Sequence, residues 1–213
     1  MLTLYDCASA PSPRRARIFL AEKGLAYDTV PIDLRQGEQF GPAYRRINPD
    51  GTVPALQTEE GLLLTDNAAI AAYLEARYPE PPLLGRSPAE QAAIASWNWR
   101  MEFDGLLAVA EALRNSSPAM AGRALPGPID YAQIPALAER GRARIGHFFD
   151  HLNERLQGRE FIASEQFSVA DITAVVALDF ARIVQCQPQP QHQALLRWRA
   201  ALGQRPSIGQ NGR

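Results

Sequence analysis

Cysteine is nearly missing from this chain: only Cys7 and Cys186 occur among 213 residues, far apart in sequence. Two distant thiols supply neither a disulfide framework nor the paired spacing of a structural zinc site, and they suit a reducing compartment. Net charge is almost missing too, at −1 from 22 basic and 23 acidic residues. No summed field therefore draws the protein to nucleic acid or to an anionic membrane. No apolar run approaches the ~20 residues that a membrane-spanning helix needs. The opening "MLTLYDCASAP" lacks the basic-then-apolar order of a secretory leader. These absences leave a soluble, cytoplasmic protein with small-molecule or protein partners as the expectation. What is present is ordinary globular material, with a hydrophobic share of 46%, enough to build packed cores.

Residues 2–5, "LTLY", alternate as a short strand, and "RRARIFLAEKG", Arg14 to Gly24, has helical spacing through Ile18 and Leu20 before a glycine stop. "AYDTVPIDL" reads as a second strand, completing a β-α-β unit whose connection is expected to be right-handed and parallel. After the polar stretch "GEQFGPAYRRI", the segments "ALQTE" and "GLLLT" pair across Glu60-Gly61, and a helix runs from about Asp66 to Arg77. The order is β-α-β-α-β-β-α. "YPEPPLLGRSP", Tyr78 to Pro88, carries four prolines and a glycine and cannot continue a helix. Beyond it every pattern is helical: about Ala89 to Leu113, Ala132 to Leu156, Val169 to Val184 and Gln191 to Leu202, with a tail "GQNGR" expected to fray. The expected organisation is an α/β domain at residues 1–80, a linker at 81–88 and an all-α domain at 89–208.

Within "NPDGTVPAL", Asn48 to Leu56, Asn-Pro and Asp-Gly both favour a turn. A proline at the mouth of a strand is harder to place, because it cannot donate to a ladder. Taken alone, Pro54 is a trans proline at a strand start; a cis Val53–Pro54 bond would instead leave the Val53 N–H and C=O as an edge for a peptide. The stretch matches the N-P-x-G-x-V-P-x-L pattern of glutathione S-transferases. "TDNAAIAAYLE", Thr65 to Glu75, resembles their E-S-x-A-I-x-x-Y-L segment, "FSVADITAV", Phe167 to Val175, their S-x-A-D segment, and "LLRWRAALGQRPS" their closing helix. The likeness spans nearly the whole chain. It implies a thioredoxin-like N-terminal domain with cis Pro54, an all-helical C-terminal domain, and a cytosolic, bacterial-like transferase that uses glutathione and forms a homodimer.

By that resemblance, Val53 beside Pro54 pairs with the cysteine of glutathione, Thr52 assists, and Gln39 meets the glycine carboxylate. Asp66 takes the γ-glutamyl ammonium, while Asn67 and the helix N–H groups take its carboxylate. The residues themselves leave rival roles open: Asp66 as a helix cap and Gln39 as a solvated loop side chain. Phe103 and Leu107, one helical turn apart, are expected to form an apolar wall for a small hydrophobic electrophile.

The chain departs from the family where it matters for chemistry. Aligning "PRRARIFLAEKG" puts Ala10 at the usual serine position, so the ordinary Ser, Tyr or Cys donor to the glutathione thiolate is missing. A free cysteine thiol titrates near ~8.5, and each unit of lowering takes about 1.4 kcal/mol. Ser12 and Ser9 are the substitute donors, with Cys7 a third; Ser12 equally suits a helix N-cap with Pro13 at N1. The departure resembles an atypical subgroup in which a helix N-terminus and a water held by second-domain polar residues act instead. Asn115 and Ser117, beside Ser116 in "RNSSPAM", are the water-holding alternatives. Ser168 and Asp171 fit a capping box, Arg14, Arg15 and Arg17 a solvated or domain-facing helix surface, and His147, His151 and His192 no metal set. The expected activity is conjugation of glutathione to small apolar electrophiles. The alternatives are a glutathione-dependent peroxidase or thiol redox enzyme and a non-catalytic ligand-binding module.

Overall fold

Alternation along β1 (Leu2–Asp6) decides what the first unit is built on: Leu2, Leu4 and Asp6 are buried, and Thr3 and Tyr5 are partly exposed. In this computed structural model, which describes residues 1–209, the chain divides into two units. The first comprises Met1–Pro81 with Pro126–Ile129, and the second Pro82–Leu125 with Asp130–Gly209. The last four residues of "GQNGR", where fraying is expected, lie outside the described residues.

In the first unit, β1 pairs in parallel with β2 (Tyr27–Pro31) and antiparallel with β3 (Ala55–Gln57), which pairs antiparallel with β4 (Leu63–Leu64). The sheet order is β2-β1-β3-β4. Helix α1 (Pro11–Glu22) makes the parallel crossover, and α2 (Pro42–Arg45) and α3 (Asn67–Arg77) follow. Leu4 and Leu56 from the sheet, Ile18 and Leu20 from α1, and Ile70 and Leu74 from α3 are buried; this apolar burial holds the layers together. Helix α1 starts at Pro11, earlier than its apolar spacing indicates, because proline at N1 has no N–H to lose and a preset φ. At its far end Lys23 is fully buried. Its Nζ lies 2.6 Å from the Glu75 carboxylate, 2.7 Å from the Tyr78 carbonyl and 2.6 Å from the Pro81 carbonyl. Three donors meet three acceptors, and the ends of α1 and α3 are tied. The Val53–Pro54 and Glu80–Pro81 peptides are both cis.

The second unit opens with α4 (Pro88–Arg100), started by a Ser87–Glu90 capping box, and passes through a π-helical turn at Met101–Leu106 into α5 (Leu107–Ser116). Hydrophobic spacing over residues 89–113 does not reveal that turn. Gly105 sits within it, where a Cβ would meet Ala177 and the Phe148 ring at 2.9 Å. Helices α6 (Pro135–Arg155), α7 (Val169–Phe180), α8 (Gln193–Leu202) and α9 (Pro206–Gly209) complete the unit. The helix expected to reach residue 184 ends at Phe180 and tightens into a 3₁₀ turn, Ala181–Val184. Asn153 of α6 caps α8, its Oδ1 accepting the N–H groups of Ala194 and Leu195 at 3.0 and 3.2 Å. Among the described residues no helix is long and apolar enough to cross a membrane.

Asp171 organises this unit from the first turn of α7. Its carboxylate accepts the Ile162 N–H at 3.0 Å, the Ser168 N–H and hydroxyl at 3.1 Å each, and the Trp198 indole N–H at 3.3 Å. The capping box is formed, and it also joins α7 to α8. Burial pushes the Asp171 carboxyl up to about 6 against the pull of those donors.

Replacing Lys23 by Met takes the buried ammonium away from the Glu75 carboxylate and two carbonyls; urea unfolding is expected to show a loss of about 1–3 kcal/mol. The pH dependence of Asp171 has a definite sign. Its folded-state pKa of about 6 lies above the ordinary 3.8, so the folded protein holds this proton more tightly than the unfolded chain. Stability measured relative to Asp171→Asn should be greatest below about pH 4, fall as pH rises through about 6, and then level off.

Candidate functional site

The loop between α2 and β3 is organised by one buried side chain. Asn48 donates through Nδ2 to the Thr52 carbonyl at 2.8 Å and the Thr52 hydroxyl at 3.0 Å, and its Oδ1 accepts the Asp50 N–H at 3.0 Å. Its main-chain carbonyl accepts the Gly51 N–H at 3.0 Å. The Tyr44 hydroxyl donates to the same Thr52 carbonyl at 2.7 Å. Burial pushes that phenol up to about 12, so it stays a donor. Gly51 has φ +60°, and a Cβ there would meet the Phe40 ring at 2.9 Å, so backbone freedom and space both require glycine. Beyond this knot the ladder begins only at Ala55. Val53 is left outside it, its N–H and C=O without hydrogen bonds among the described residues, followed by buried Pro54. Thr52, expected to assist, uses its carbonyl and hydroxyl as acceptors that hold the loop.

At the start of α3, Asp66 is exposed and acts as the cap, one carboxylate oxygen accepting the Ala69 N–H at 2.8 Å. Asn67 donates through Nδ2 to the Ser12 carbonyl at 3.2 Å, which stitches the first turn of α3 to the first turn of α1. Gln39 is not the solvated side chain its loop suggested. It is 2% exposed, and its Oε1 is buried without a hydrogen-bond partner among the described residues, an arrangement that costs about 1–3 kcal/mol unless something fills it.

The first turn of α1 corrects another expectation. Ala10, not Ser12, is the N-cap, and Pro11, not Pro13, takes N1. Ser12 therefore lies inside the turn, its hydroxyl unbonded among the described residues. Prolines on both sides contribute no N–H, and the Ala10 N–H is bound to the Cys7 carbonyl at 2.9 Å. The Ser12 N–H and hydroxyl are the donors this turn offers. Ser9 is exposed, with its Oγ 3.5 Å from the Cys7 sulfur. Of the two surfaces open to the basic run, the solvated one does not hold for Arg15 and Arg17, which are buried.

In the second unit Asn115 is buried and donates to the Glu111 carbonyl at 2.9 Å while accepting the Ile134 N–H at 2.9 Å. Each end of its amide makes one bond to main chain, which leaves one N–H and one acceptor lone pair of the side chain over. Ser116 bonds back to the Ala112 carbonyl at 2.7 Å, whereas the Ser117 hydroxyl has no partner among the described residues. Phe103 and Leu107 are 46% and 45% exposed, and Trp99 stacks on Phe103 at 5.4 Å between ring centroids. Sequence reasoning missed Asn48 and Tyr44 as the loop's supports. The Asn-Pro step is the available signal, and by itself it indicates only a turn.

Asn48→Ala removes both side-chain ties to Thr52 and the acceptor for Asp50. It is expected to cost about 1–3 kcal/mol in urea unfolding and to speed amide hydrogen exchange at Asp50 and Gly51.

Comparison with known proteins agrees with this architecture. Residues 10–77 match the family described as glutathione S-transferase, N-terminal domain, and residues 118–206 match glutathione S-transferase, C-terminal domain. Glutathione S-transferase 2 of Saccharomyces cerevisiae is 33% identical over 210 residues, 97% of this chain and 88% of that protein. Maleylacetoacetate isomerase of Pseudomonas aeruginosa is 47% identical over 93 residues, 43% of this chain and 44% of that protein. Among solved structures, Gtt2 from Saccharomyces cerevisiae superposes with a TM-score of 0.89 at 32% identity, covering 98% of this chain and 99% of that one. A glutathione S-transferase domain-containing protein from Marinobacter aquaeolei superposes with a TM-score of 0.88 at 35% identity, covering 97% and 99%. With a thioredoxin-like sheet unit, a helical unit and matches along both, the chain belongs to the glutathione S-transferase family and is an enzyme of that family.

Proposed function

We propose that this transferase holds glutathione on its first unit and directs the thiolate at small apolar electrophiles. The observation that carries the reading is the unpaired main-chain N–H and C=O of Val53, presented by a loop that Asn48 and Gly51 lock. A γ-glutamyl tripeptide asks for an amide pair at its middle and opposite charges at one end. Val53 supplies the pair. Asp66 has a carboxylate oxygen left over from its cap bond for the ammonium, and the unpaired N–H groups at the start of α3 suit the neighbouring carboxylate. Gln39 brings an amide for the glycine end, and Thr52 contributes by fixing Val53.

Glutathione supplies the nucleophilic sulfur when bound; the chain's task is to favour its ionised form. Ala10 has nothing to donate, so the Ser12 N–H and hydroxyl take the role, aided by the positive end of α1, whose field is worth about 0.3–2 kcal/mol. Ser9 is the lesser donor. Phe103 and Leu107, continued by Trp99, form the apolar wall for the electrophile. A cytoplasmic homodimer with a detoxifying role completes the proposal. The isomerase relative covers 43% of the chain against 97% for the transferase, which favours the conjugation reading.

Conjugation of glutathione to an aryl halide tests it. Ser12→Ala is expected to lower kcat/KM by about 10–100-fold, the worth of one hydrogen bond to an anion at ~1.5–3 kcal/mol, with calorimetric glutathione affinity within about twofold of native. Ser9→Ala should fall less, and Phe103→Ala should raise KM for the electrophile alone. Saturable glutathione binding with no conjugation at all would point to the binding module instead.

A further inference from the structure

The strand alternation that buries Leu2 and Leu4 also carries the Asp6 carboxylate inward at the end of β1. A buried carboxylate needs a cation and further donors. Arg17, on the second turn of α1 and itself buried, places Nη1 2.5 Å from Asp6 Oδ1. Its Nη2 then donates to the Ala8 carbonyl at 3.0 Å. One guanidinium thus spans the end of the strand and the middle of "CASA", the loop that joins β1 to α1. Ala8 and Ser9 are exposed, so packing does not fix that loop. Its other main-chain tie is the Ala10 N–H to the Cys7 carbonyl.

We propose that Arg17 is a positioning residue for the transferase reaction, holding Ala8 so that Ser9 and the first turn of α1 present their donors to the glutathione thiolate. The proposal rests on the thiolate site described above. Charge is not what Arg17 adds, because Asp6 matches it. Its contribution is the rigid fork, two N–H groups aimed at two acceptors, which a lysine ammonium on a flexible stem does not reproduce. Small displacements of groups facing a reacting atom cost up to ~10²-fold in rate. With Ala10 in place of the usual donor, the remaining ones have little to spare. The ionisable groups facing Arg17 are Asp6 and the Tyr27 phenol of β2, which burial holds above its ordinary value while Arg17 pulls it back.

Arg17→Lys keeps the charge and loses the fork. Four measurements follow: amide hydrogen exchange at Ser9 and Ala10 without glutathione, calorimetric glutathione affinity, the pH midpoint of bound thiolate by ultraviolet absorbance, and conjugation kinetics. The expected result is faster exchange, affinity within about twofold, a thiolate midpoint raised by about half to one unit, and kcat reduced by about 3–10-fold at unchanged KM for glutathione. A folded Arg17→Lys protein with native exchange, or with a native thiolate midpoint and kcat, would overturn the proposal. Should that variant fail to fold, Ala8→Gly frees the loop without touching the core; it should raise the same midpoint, and a native midpoint there is equally fatal. If bound glutathione in the native protein titrates like free glutathione, the thiolate site itself falls, and the proposal with it.

Discussion

One amide side chain, that of Asn48, sets the geometry on which the proposed glutathione site depends. Sealed from water, it satisfies two acceptors on Thr52 and takes the Asp50 N–H in return. A buried amide left half-bonded is costly, so the loop has one low-energy arrangement. In that arrangement the Thr52 carbonyl is consumed, Pro54 has no N–H to give, and the ladder starts at Ala55. Val53 is what remains between them, its two main-chain groups without hydrogen bonds among the described residues. Gly51 makes the turn feasible by accepting φ +60° against the Phe40 ring.

The same logic, polar groups fixed by burial, runs through the rest of the molecule. Lys23 joins the far ends of α1 and α3, and Asp171 gathers the start of α7, its preceding loop and α8 around four donors. Arg17 and Asp6 do this beside the first turn of α1. There the two prolines matter as much as the serine between them. By removing N–H groups on either side, they leave Ser12 as the residue of the first turn with an N–H to offer.

Much of this was legible in the sequence, and the exceptions share a cause. The β-α-β order, the helical second half and the Ser168–Asp171 box follow from local periodicity and capping chemistry, which act over a few residues. "NPDGTVPAL" pointed to the loop, though not to the support Tyr44 gives it from α2. The basic run Arg14, Arg15 and Arg17 leaves a solvated and a domain-facing surface equally open, because nothing local announces that Asp6 faces inward and requires Arg17 as a partner. Lys23 escaped notice likewise, since its carboxylate and carbonyls lie at the end of another helix. Ser12 was misplaced as a cap because two Ser/Ala-Pro steps compete and only the folded chain shows that Pro11 wins. That Asn115 ties its helix to the chain at Ile134 is likewise invisible locally, because the partner lies 19 residues away.

The claim that the Val53 main chain pairs with the middle of a bound tripeptide is tested most directly by following backbone amides during a glutathione titration. Nuclear magnetic resonance should show a saturable shift of the Val53 amide together with protection of its hydrogen from exchange, along the same binding curve as Asp66 and Asn67. Saturable binding that leaves the Val53 amide unshifted and freely exchanging would contradict it.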